Sequence, residues 1–197
     1  MESKEITKEQ ALSLKGYKHA CHIMLYGDTD AKLFGKIPTK HIVLMQMRFD
    51  GLLGFPGGLV NPGQESLESG LSREIGEELG VALCVSPEDH LSTQLASSPP
   101  NLVCHFFVKK MTEEELREVE KAAVVASDHG LEVMGLVRVP LFTLRNGGGL
   151  SSFLSHSFIG NSRSQLLSAL RTLGLVSHHD LEAAVTRADK SLHSKAR

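Results

Sequence analysis

Residues 57–81 join a glycine-rich loop to an acidic helix, and this junction constrains the fold more than any other feature of the chain. Glu74, Glu77 and Glu78 are spaced so that a helix places their three carboxylates on one face. Like charges at this spacing destabilise a helix by tenths of a kcal/mol per pair, and each internal glycine costs about 1 kcal/mol relative to alanine. The pattern therefore indicates a helix whose acidic face serves chemistry rather than stability.

Divalent cations that prefer hard oxygen ligands would relieve this repulsion, which points to Mg²⁺ or Mn²⁺, with Co²⁺ as a third candidate. Arg73 precedes Glu77 by one helical turn and is predicted to pair with that carboxylate and orient it. Glycines before the helix let the backbone approach a phosphate closely. The alternative is that the acidic face is simply solvated and that the glycine-rich loop beside it has no function. The matching positions of the loop, Arg73 and the terminal Gly80 around the glutamates disfavour this alternative.

Turn residues and apolar runs divide the chain into strand and helix candidates. The predicted strands are residues 21–26, 41–49, 81–85, 102–109 and 134–140. The predicted helices are residues 66–79, 112–125, 162–173 and 180–190. Because strands and helices are mixed without a regular alternation, we expect an α+β fold with a mixed sheet.

The length of 197 residues suits a single domain. We place this domain at residues 1–190 and expect about the first 12 residues to be frayed. Residues 191–197 are polar and are expected to form a C-terminal tail.

The charge balance excludes a wholly basic nucleic-acid coat protein, because 21 Lys and Arg against 23 Asp and Glu give a formal net charge of -2. No apolar stretch reaches the roughly 18 residues needed to cross a bilayer, and the charged N-terminus has no secretory signal. Cys21, Cys84 and Cys104 are widely spaced and are expected to be reduced core residues. We therefore expect an intracellular protein without a membrane partner.

The acidic helix and its loop resemble the Nudix box, whose pattern is Gly, five residues, Glu, seven residues, then Arg-Glu-apolar-any-Glu-Glu-any-Gly-apolar. The match is complete from Glu65 through Arg73 to Val81. The pattern has glycine where this chain has Leu59, with Gly58 one residue early, which we interpret as a one-residue insertion in the loop. The resemblance implies an α/β/α sandwich with a mixed sheet and a metal-dependent hydrolase of diphosphates.

The segments HACHIMLY, HIVLMQMRFDGLLGFPGG, DHGLEVMGLVRVPLFTL and SFIGNSRSQLL extend the resemblance over residues 16–174, to one vertebrate subgroup of the family. That subgroup includes a nuclear enzyme that removes the cap of small nucleolar RNA and hydrolyses inosine diphosphate. The resemblance implies hydrolysis of (deoxy)inosine-type purine nucleoside diphosphates to monophosphates, and decapping of small nucleolar RNA and mRNA. It also implies RNA binding, a homodimer, and a location in the nucleus (nucleolus and nucleoplasm) and cytoplasm.

The resemblance assigns roles to individual residues. The implied metal ligands are the Gly57 carbonyl and three carboxylates of the box, Glu74, Glu77 and Glu78. Glu132 matches a further carboxylate of the family and is a candidate metal ligand or general base. Four residues match positions that hold the purine nucleotide, namely His22, Arg48, Phe55 and Gln165. A histidine expected near Leu95 is absent, and His90 is the nearest one.

Two other functions stay open. One is a general hydrolase of ADP-ribose or NAD-type caps, and the other is a non-catalytic RNA- or protein-binding module like syndesmos, a relative that has lost the catalytic glutamates. The three retained glutamates favour catalysis.

RNA binding has one further indication, a local charge of +4 from six basic and two acidic residues between positions 15 and 48. The basic residues are Lys15, Lys18, Lys32, Lys36, Lys40 and Arg48, and the acids are Asp28 and Asp30. A cluster of this kind either follows a phosphate backbone or is simply a solvated face. Without Trp and with only two Tyr, the chain offers little for base stacking, so RNA contact would depend on charge and the cap nucleotide.

Overall fold

The computed structural model describes residues 4–96 and 101–195, and its centre is a β-sheet covered by helices. The strands are β1 (Lys4–Ile6), β2 (Lys18–Asp28), β3 (Lys32–Leu33), β4 (Ile37–Pro38), β5 (His41–Arg48), β6 (Leu53–Gly54), β7 (Gly57–Val60), β8 (His90–Leu95), β9 (Leu102–Lys110) and β10 (Val133–Arg138). The helices are α1 (Lys8–Ser13), α2 (Leu67–Leu79), α3 (Glu113–Ala123), α4 (Leu150–Phe153), α5 (Ser162–Thr172) and α6 (His178–Lys195).

The main sheet has the strand order β1-β8-β9-β2-β5-β10, with β6 paired to β5 and β7 paired to β2. Strands β2 and β9 run parallel over the whole length of β9, whereas β2 is antiparallel to both β5 and β7. Strands β3 and β4 form a separate hairpin beyond the end of β2. The sheet is therefore mixed, which confirms the α+β prediction.

Two apolar cores lie on opposite faces of this sheet because successive strand residues point to opposite sides. On β2, Met24 packs with Leu166 of α5 and Leu181 of α6 in one core. Ile23 of the same strand packs with Leu71 of α2 and with the buried face of α3 in the other core. The structure thus confirms the α/β/α sandwich.

The glycine-rich loop is more regular than the sequence predicts, because its central residues form strand β7. Gly57 pairs with His22 and Gly58 with Cys21 in an antiparallel ladder. Gly57 has a φ of 129°, and a Cβ there would overlap the Cys21 carbonyl oxygen. Only glycine can therefore hold this strand against β2.

The N-terminal segment, which its polar composition predicts to be frayed, forms β1 and α1. Strand β1 pairs with β8, and α1 begins with a capping box in which the Thr7 hydroxyl accepts from the Gln10 N–H. Ala11 is fully buried, and Lys8 Nζ contacts Glu68 at 2.6 Å. These long-range partners fix a segment whose polar composition alone predicts mobility.

The predicted strand at residues 81–85 is wrong, and β8 takes its place further along the chain. Residues 81–85 have no strand partner, and the Val85 N–H donates to the Ser72 hydroxyl at 3.2 Å. The apolar side chains of this segment pack against the α2 face of the sheet instead. A short 3-10 turn, Pro87–Asp89, then leads into β8, whose polar residues gave no clear strand pattern.

Helix α6 continues to Lys195, so the described part of the expected C-terminal tail is helical. Among the described helices, none combines the length and apolarity needed to span a membrane. Cys21 and Cys104 are buried as expected, but Cys84 is exposed.

Candidate active site

Helix α2 carries the acidic face and is fixed at both ends. The Ser66 hydroxyl accepts from the Ser69 N–H at 3.1 Å, which caps the N-terminus, and Gly80 ends the helix in a left-handed conformation. Its apolar side, which includes Leu71 and Ile75, is fully buried against the sheet. Anchoring by this buried face turns the glutamates toward β7 and the sheet edge.

Glu78 is the most deeply buried of the box carboxylates, with 5% of its surface exposed. The Gly57 N–H donates to Oε2 at 2.7 Å, and Gln46 Nε2 donates to Oε1 at 3.1 Å. Burial raises the pKa of Glu78 to about 7, against the effect of these two hydrogen bonds. The nearby charges of Glu74 and Asp128 raise it further.

Glu74 lies directly over Gly58, and a Cβ at that glycine would collide with its carboxylate. Burial raises the pKa of Glu74, and the neighbouring charges of Glu77 and Glu132 add to this rise. Arg73 Nη1 contacts Glu74 Oε1 at 2.8 Å and acts in the opposite direction. Gly58 therefore provides the space in which this carboxylate lies against the backbone of β7.

Arg73 connects the loop to the acidic face. Its Nη1 contacts Glu77 Oε2 at 3.3 Å, as the spacing predicts, and its Nη2 contacts Glu65 Oε1 at 3.3 Å. Nη2 also lies 3.4 Å from the Leu59 carbonyl oxygen. The hydrogen bonds that the guanidinium donates to Glu65 and Glu74 raise its pKa. Leu59 accepts from Arg73 through its carbonyl, and the residue is 57% exposed.

Glu132 lies at the exposed turn before β10, where its carbonyl accepts from the Phe49 N–H at 3.0 Å. It is near enough to Glu74 for its charge to affect the pKa of that carboxyl. The charge of Asp128 raises the pKa of Glu78. The sequence pattern gives this residue no role, although it begins the DHGLEV segment that resembles the family. The structure thus gathers acids from α2 and from the turn before β10.

These residues suit a hard divalent cation, although they are not preassembled around one. Among residues 4–96 and 101–195, no three His, Cys, Asp or Glu side chains form a ready metal-binding group. The box carboxylates are instead held by Arg73, Gln46 and the Gly57 N–H. The buried Gln46 Oε1 beside Glu78 has no hydrogen-bond partner in the described chain. The oxygen-rich donors, their mutual repulsion and the unsatisfied Gln46 oxygen together fit a hard divalent cation.

The four predicted nucleotide-binding residues line one cavity of about 220 Å³. These residues are His22, Arg48, Phe55 and Gln165, and they come from β2, β5, the loop before β7, and α5. His22 pairs with Gly57 in the sheet, which places the cavity beside the acidic face. The structure therefore brings the predicted binding residues together, and their role stays a prediction.

The cavity side chains are mostly uncharged. Burial lowers the pKa of His22 to about 4, with a smaller contribution from Arg48, so its imidazole is neutral at pH 7. Gln165 is 3% exposed, and it lines the cavity. Phe55 is 2% exposed and packs against Phe106 with ring centroids 4.9 Å apart. The cavity thus presents two aromatic rings and polar groups for a planar ligand.

His90 is engaged elsewhere and does not line this cavity. Its Nε2 lies 2.8 Å from the Thr93 hydroxyl, which in turn lies 3.0 Å from His105 Nδ1. His105 Nε2 continues this chain to His19 Nδ1 at 3.0 Å. His90 therefore belongs to a buried polar chain between β8, β9 and β2, and does not replace the histidine expected near Leu95.

The basic residues between positions 15 and 48 do not form one patch. Lys15 and Lys18 are exposed at the beginning of β2, whereas the exposed lysines of the β3–β4 hairpin lie beyond its end. A strand of 11 residues separates the two groups, which is about 35 Å at 3.2–3.4 Å per residue. The Arg48 Nη2 is paired with Asp50 at 3.1 Å. The local charge is thus dispersed over the surface.

The fold is similar to known Nudix structures. The NUDIX domain of Shewanella oneidensis NrtR, in a complex with ADP ribose, matches 85% of this chain and 99% of its own, with a TM-score of 0.53 and 17% identity. At this identity the similarity shows the fold alone.

Two relatives cover nearly the whole chain. The U8 snoRNA-decapping enzyme of Xenopus laevis is 51% identical over 91% of this chain and 86% of its own. The Tudor-interacting repair regulator protein of Mus musculus is 47% identical over 95% of this chain and 89% of its own. A family model described as Nudt16-like, U8 snoRNA-decapping enzyme-like, matches residues 19–176.

Nudix enzymes generally use divalent metals such as Mg²⁺. The chain therefore belongs to the Nudt16-like, U8 snoRNA-decapping enzyme-like family and is a Nudix hydrolase.

Proposed function

We propose that this protein is a metal-dependent diphosphatase that converts (deoxy)inosine-type purine nucleoside diphosphates to monophosphates and removes caps from RNA 5′ ends, including small nucleolar RNA and mRNA. The observation that carries the proposal is the contact between Gly57 and Glu78, which joins the acidic helix to the strand beside the His22 cavity. A nucleotide whose base occupies this cavity would extend its phosphates toward the carboxylates. The name of the Xenopus laevis relative supports decapping.

Metal binding is proposed for the Gly57 carbonyl and for the carboxylates Glu74, Glu77, Glu78 and Glu132, with Mg²⁺ or Mn²⁺ as the ion. When bound, such an ion neutralises phosphoryl oxygens and lowers the pKa of water. Arg73 orients Glu74 and Glu77 through its guanidinium. Glu132 is exposed and is free to take the proton that an attacking water loses at phosphorus.

The cavity is proposed to hold the purine. The Gln165 amide offers both a donor and an acceptor, which suits the O6 and N1–H edge of hypoxanthine. The neutral His22 imidazole and the Phe55 ring provide apolar faces against a planar base. Arg48 is placed to donate to a phosphate or to the base if it exchanges its contact with Asp50.

RNA binding is proposed to depend mainly on the cap nucleotide, because the surface lysines are dispersed. We further propose a homodimer and a location in the nucleolus, nucleoplasm and cytoplasm, both supported by the family resemblance. Light scattering after gel filtration would measure the oligomeric state, and a tagged full chain would report the location.

The test is release of phosphate and inosine monophosphate from inosine diphosphate, with Mg²⁺ or Mn²⁺ and again with EDTA. Turnover that needs the metal and is lost in Glu78→Gln supports the proposal. Capped and uncapped RNA of one sequence are then compared at fixed salt, since phosphate contacts alone do not distinguish them. ADP-ribose and an NAD-capped RNA are included, and a preference for either would favour the general hydrolase.

A non-catalytic binding module is the second candidate, favoured by the 47% identity to the Tudor-interacting repair regulator protein of Mus musculus. Absence of turnover with every divalent metal and substrate would make it the leading function. The three retained box glutamates are the reason that we place it second.

A further inference from the structure

Gln46 lies in the middle of the sheet on β5, with 1% of its surface exposed. Its Nε2 donates to Glu78 Oε1 at 3.1 Å. Its Oε1 is buried and has no hydrogen-bond partner among the described residues. Ile42 and Leu44 lie on the same face of the strand and belong to the apolar core beneath α2. A polar side chain thus occupies a core position with its acceptor oxygen unused.

Such a residue is unfavourable for stability, because an unsatisfied buried acceptor loses its hydrogen bond to water without replacement. Methionine has a similar volume and would fill the site without a polar atom. Stability therefore does not explain the amide at this position. The only side chain that it contacts by a hydrogen bond in the described chain is Glu78.

We propose that Gln46 is a positioning residue that fixes the orientation of the Glu78 carboxylate. One carboxylate oxygen is held by the Gly57 N–H from β7, and the other is held by Gln46 from β5. Two donors on two different strands prevent rotation of the carboxylate about its own axis. A group that must act as a metal ligand gains from this restraint, because outer partners of ligating carboxylates keep them in place. The inference rests on the proposed role of Glu78.

The test compares wild type, Gln46→Met and a core control, Met45→Leu, which alters the opposite face of β5. Direct Mn²⁺ binding by electron paramagnetic resonance, the kcat and KM for inosine diphosphate, and the urea midpoint are measured for each. For Gln46→Met we expect Mn²⁺ binding and kcat to fall about 10- to 100-fold, with KM nearly unchanged. Its urea midpoint should stay close to that of wild type, because removal of the unsatisfied Oε1 offsets loss of the hydrogen bond to Glu78. Met45→Leu should keep wild-type Mn²⁺ binding and kcat.

Two outcomes would overturn the assignment of Gln46. Wild-type Mn²⁺ affinity and kcat in Gln46→Met would show that the amide does not position Glu78. A fall in the urea midpoint together with activity would show that Gln46 is merely structural, and Gln46→Leu repeats the comparison if the methionine variant does not fold.

The Glu78→Gln variant separates this inference from the proposed function. If wild type neither binds Mn²⁺ nor turns over, or if Glu78→Gln is fully active, the proposed function fails and the Gln46 assignment fails with it. If wild type is active and Glu78→Gln is impaired, an unaffected Gln46→Met overturns the Gln46 assignment alone.

Discussion

Gly57 donates its N–H to Glu78 Oε2 at 2.7 Å, across 21 residues of sequence. The bond joins strand β7 to the C-terminal part of helix α2, the two parts of the sequence that resemble the Nudix box. Because Gly57 also pairs with His22, a single residue connects the acidic face to the wall of the candidate nucleotide cavity. Substitutions on either side of this bond should therefore have distinguishable effects.

Neutralising Glu78 should stabilise the metal-free protein at alkaline pH. Burial raises the pKa of Glu78 from its ordinary 4.5 to about 7, so the folded state holds the proton more tightly than the unfolded chain. The associated stability is complete below pH 4.5 and is lost as the pH rises through about 7. Glu78→Gln should thus be more stable than wild type at pH 8, by up to about 3 kcal/mol at 1.36 kcal/mol per pKa unit.

Urea unfolding in EDTA at pH 8 and pH 5 measures this difference, which should shrink at the lower pH. Glu118→Gln is the control, because Glu118 is exposed and pairs only with Lys121. A Glu78→Gln protein that is less stable than wild type at pH 8 would show that the ionised carboxylate is favourable in its site.

Arg73→Lys should reduce hydrolysis of inosine diphosphate by about 10- to 100-fold while the fold is retained. The two Nη atoms of Arg73 contact three carboxylates and a carbonyl, and a single ammonium group cannot reproduce this geometry. The stability loss should stay below about 1 kcal/mol, because the guanidinium is 43% exposed and its ion pairs are screened.

The measurements for Arg73 are kcat/KM at saturating Mg²⁺ and the thermal midpoint. Arg117→Lys is the matched control, since Arg117 pairs with Glu113 on the surface of α3, and it should leave both unchanged. A wild-type rate in Arg73→Lys would mean that the glutamates need no orientation by the guanidinium.

Gln165→Leu should weaken substrate binding without affecting the chemical step. The buried amide lines the cavity, so its removal deprives a ligand bound there of hydrogen bonds. We expect the KM for inosine diphosphate to rise about 10-fold or more, with kcat little changed. Steady-state kinetics test this, and Ser168→Ala, on the same helix but outside the cavity, serves as control. An unchanged KM would place the base elsewhere.

Leu59→Gly, which introduces the glycine of the Nudix pattern, should leave activity within about threefold of wild type. Leu59 is exposed, and its carbonyl, which contacts Arg73, is kept in the glycine variant. Stability should fall by up to roughly 1 kcal/mol, because glycine is unfavourable in a strand. Parallel kinetics and urea unfolding test this, and a large gain in activity would show that the leucine impairs the site.

Local sequence patterns predicted the helices whose formation depends on residues close together in the sequence. The spacing of Glu74, Glu77 and Glu78, the capping box at Thr112 and the terminal Gly80 act within a few residues, and α2 and α3 match the predicted bounds closely. Strand β8 and the N-terminal segment were missed because their order comes from pairing partners. Residues 81–85 look like a strand by composition, but they pack as an extended segment without a ladder.

The sequence by itself therefore determined the family, the acidic helix and the contact of Arg73 with Glu77, because helical periodicity and a spaced motif are properties of one short segment. The tertiary structure decided what surrounds them. Burial and two donors from different strands set the pKa of Glu78, and the cavity at His22 exists because four separate segments meet there. Gln46 was not recognisable in an apolar strand, since only folding brings its amide to Glu78.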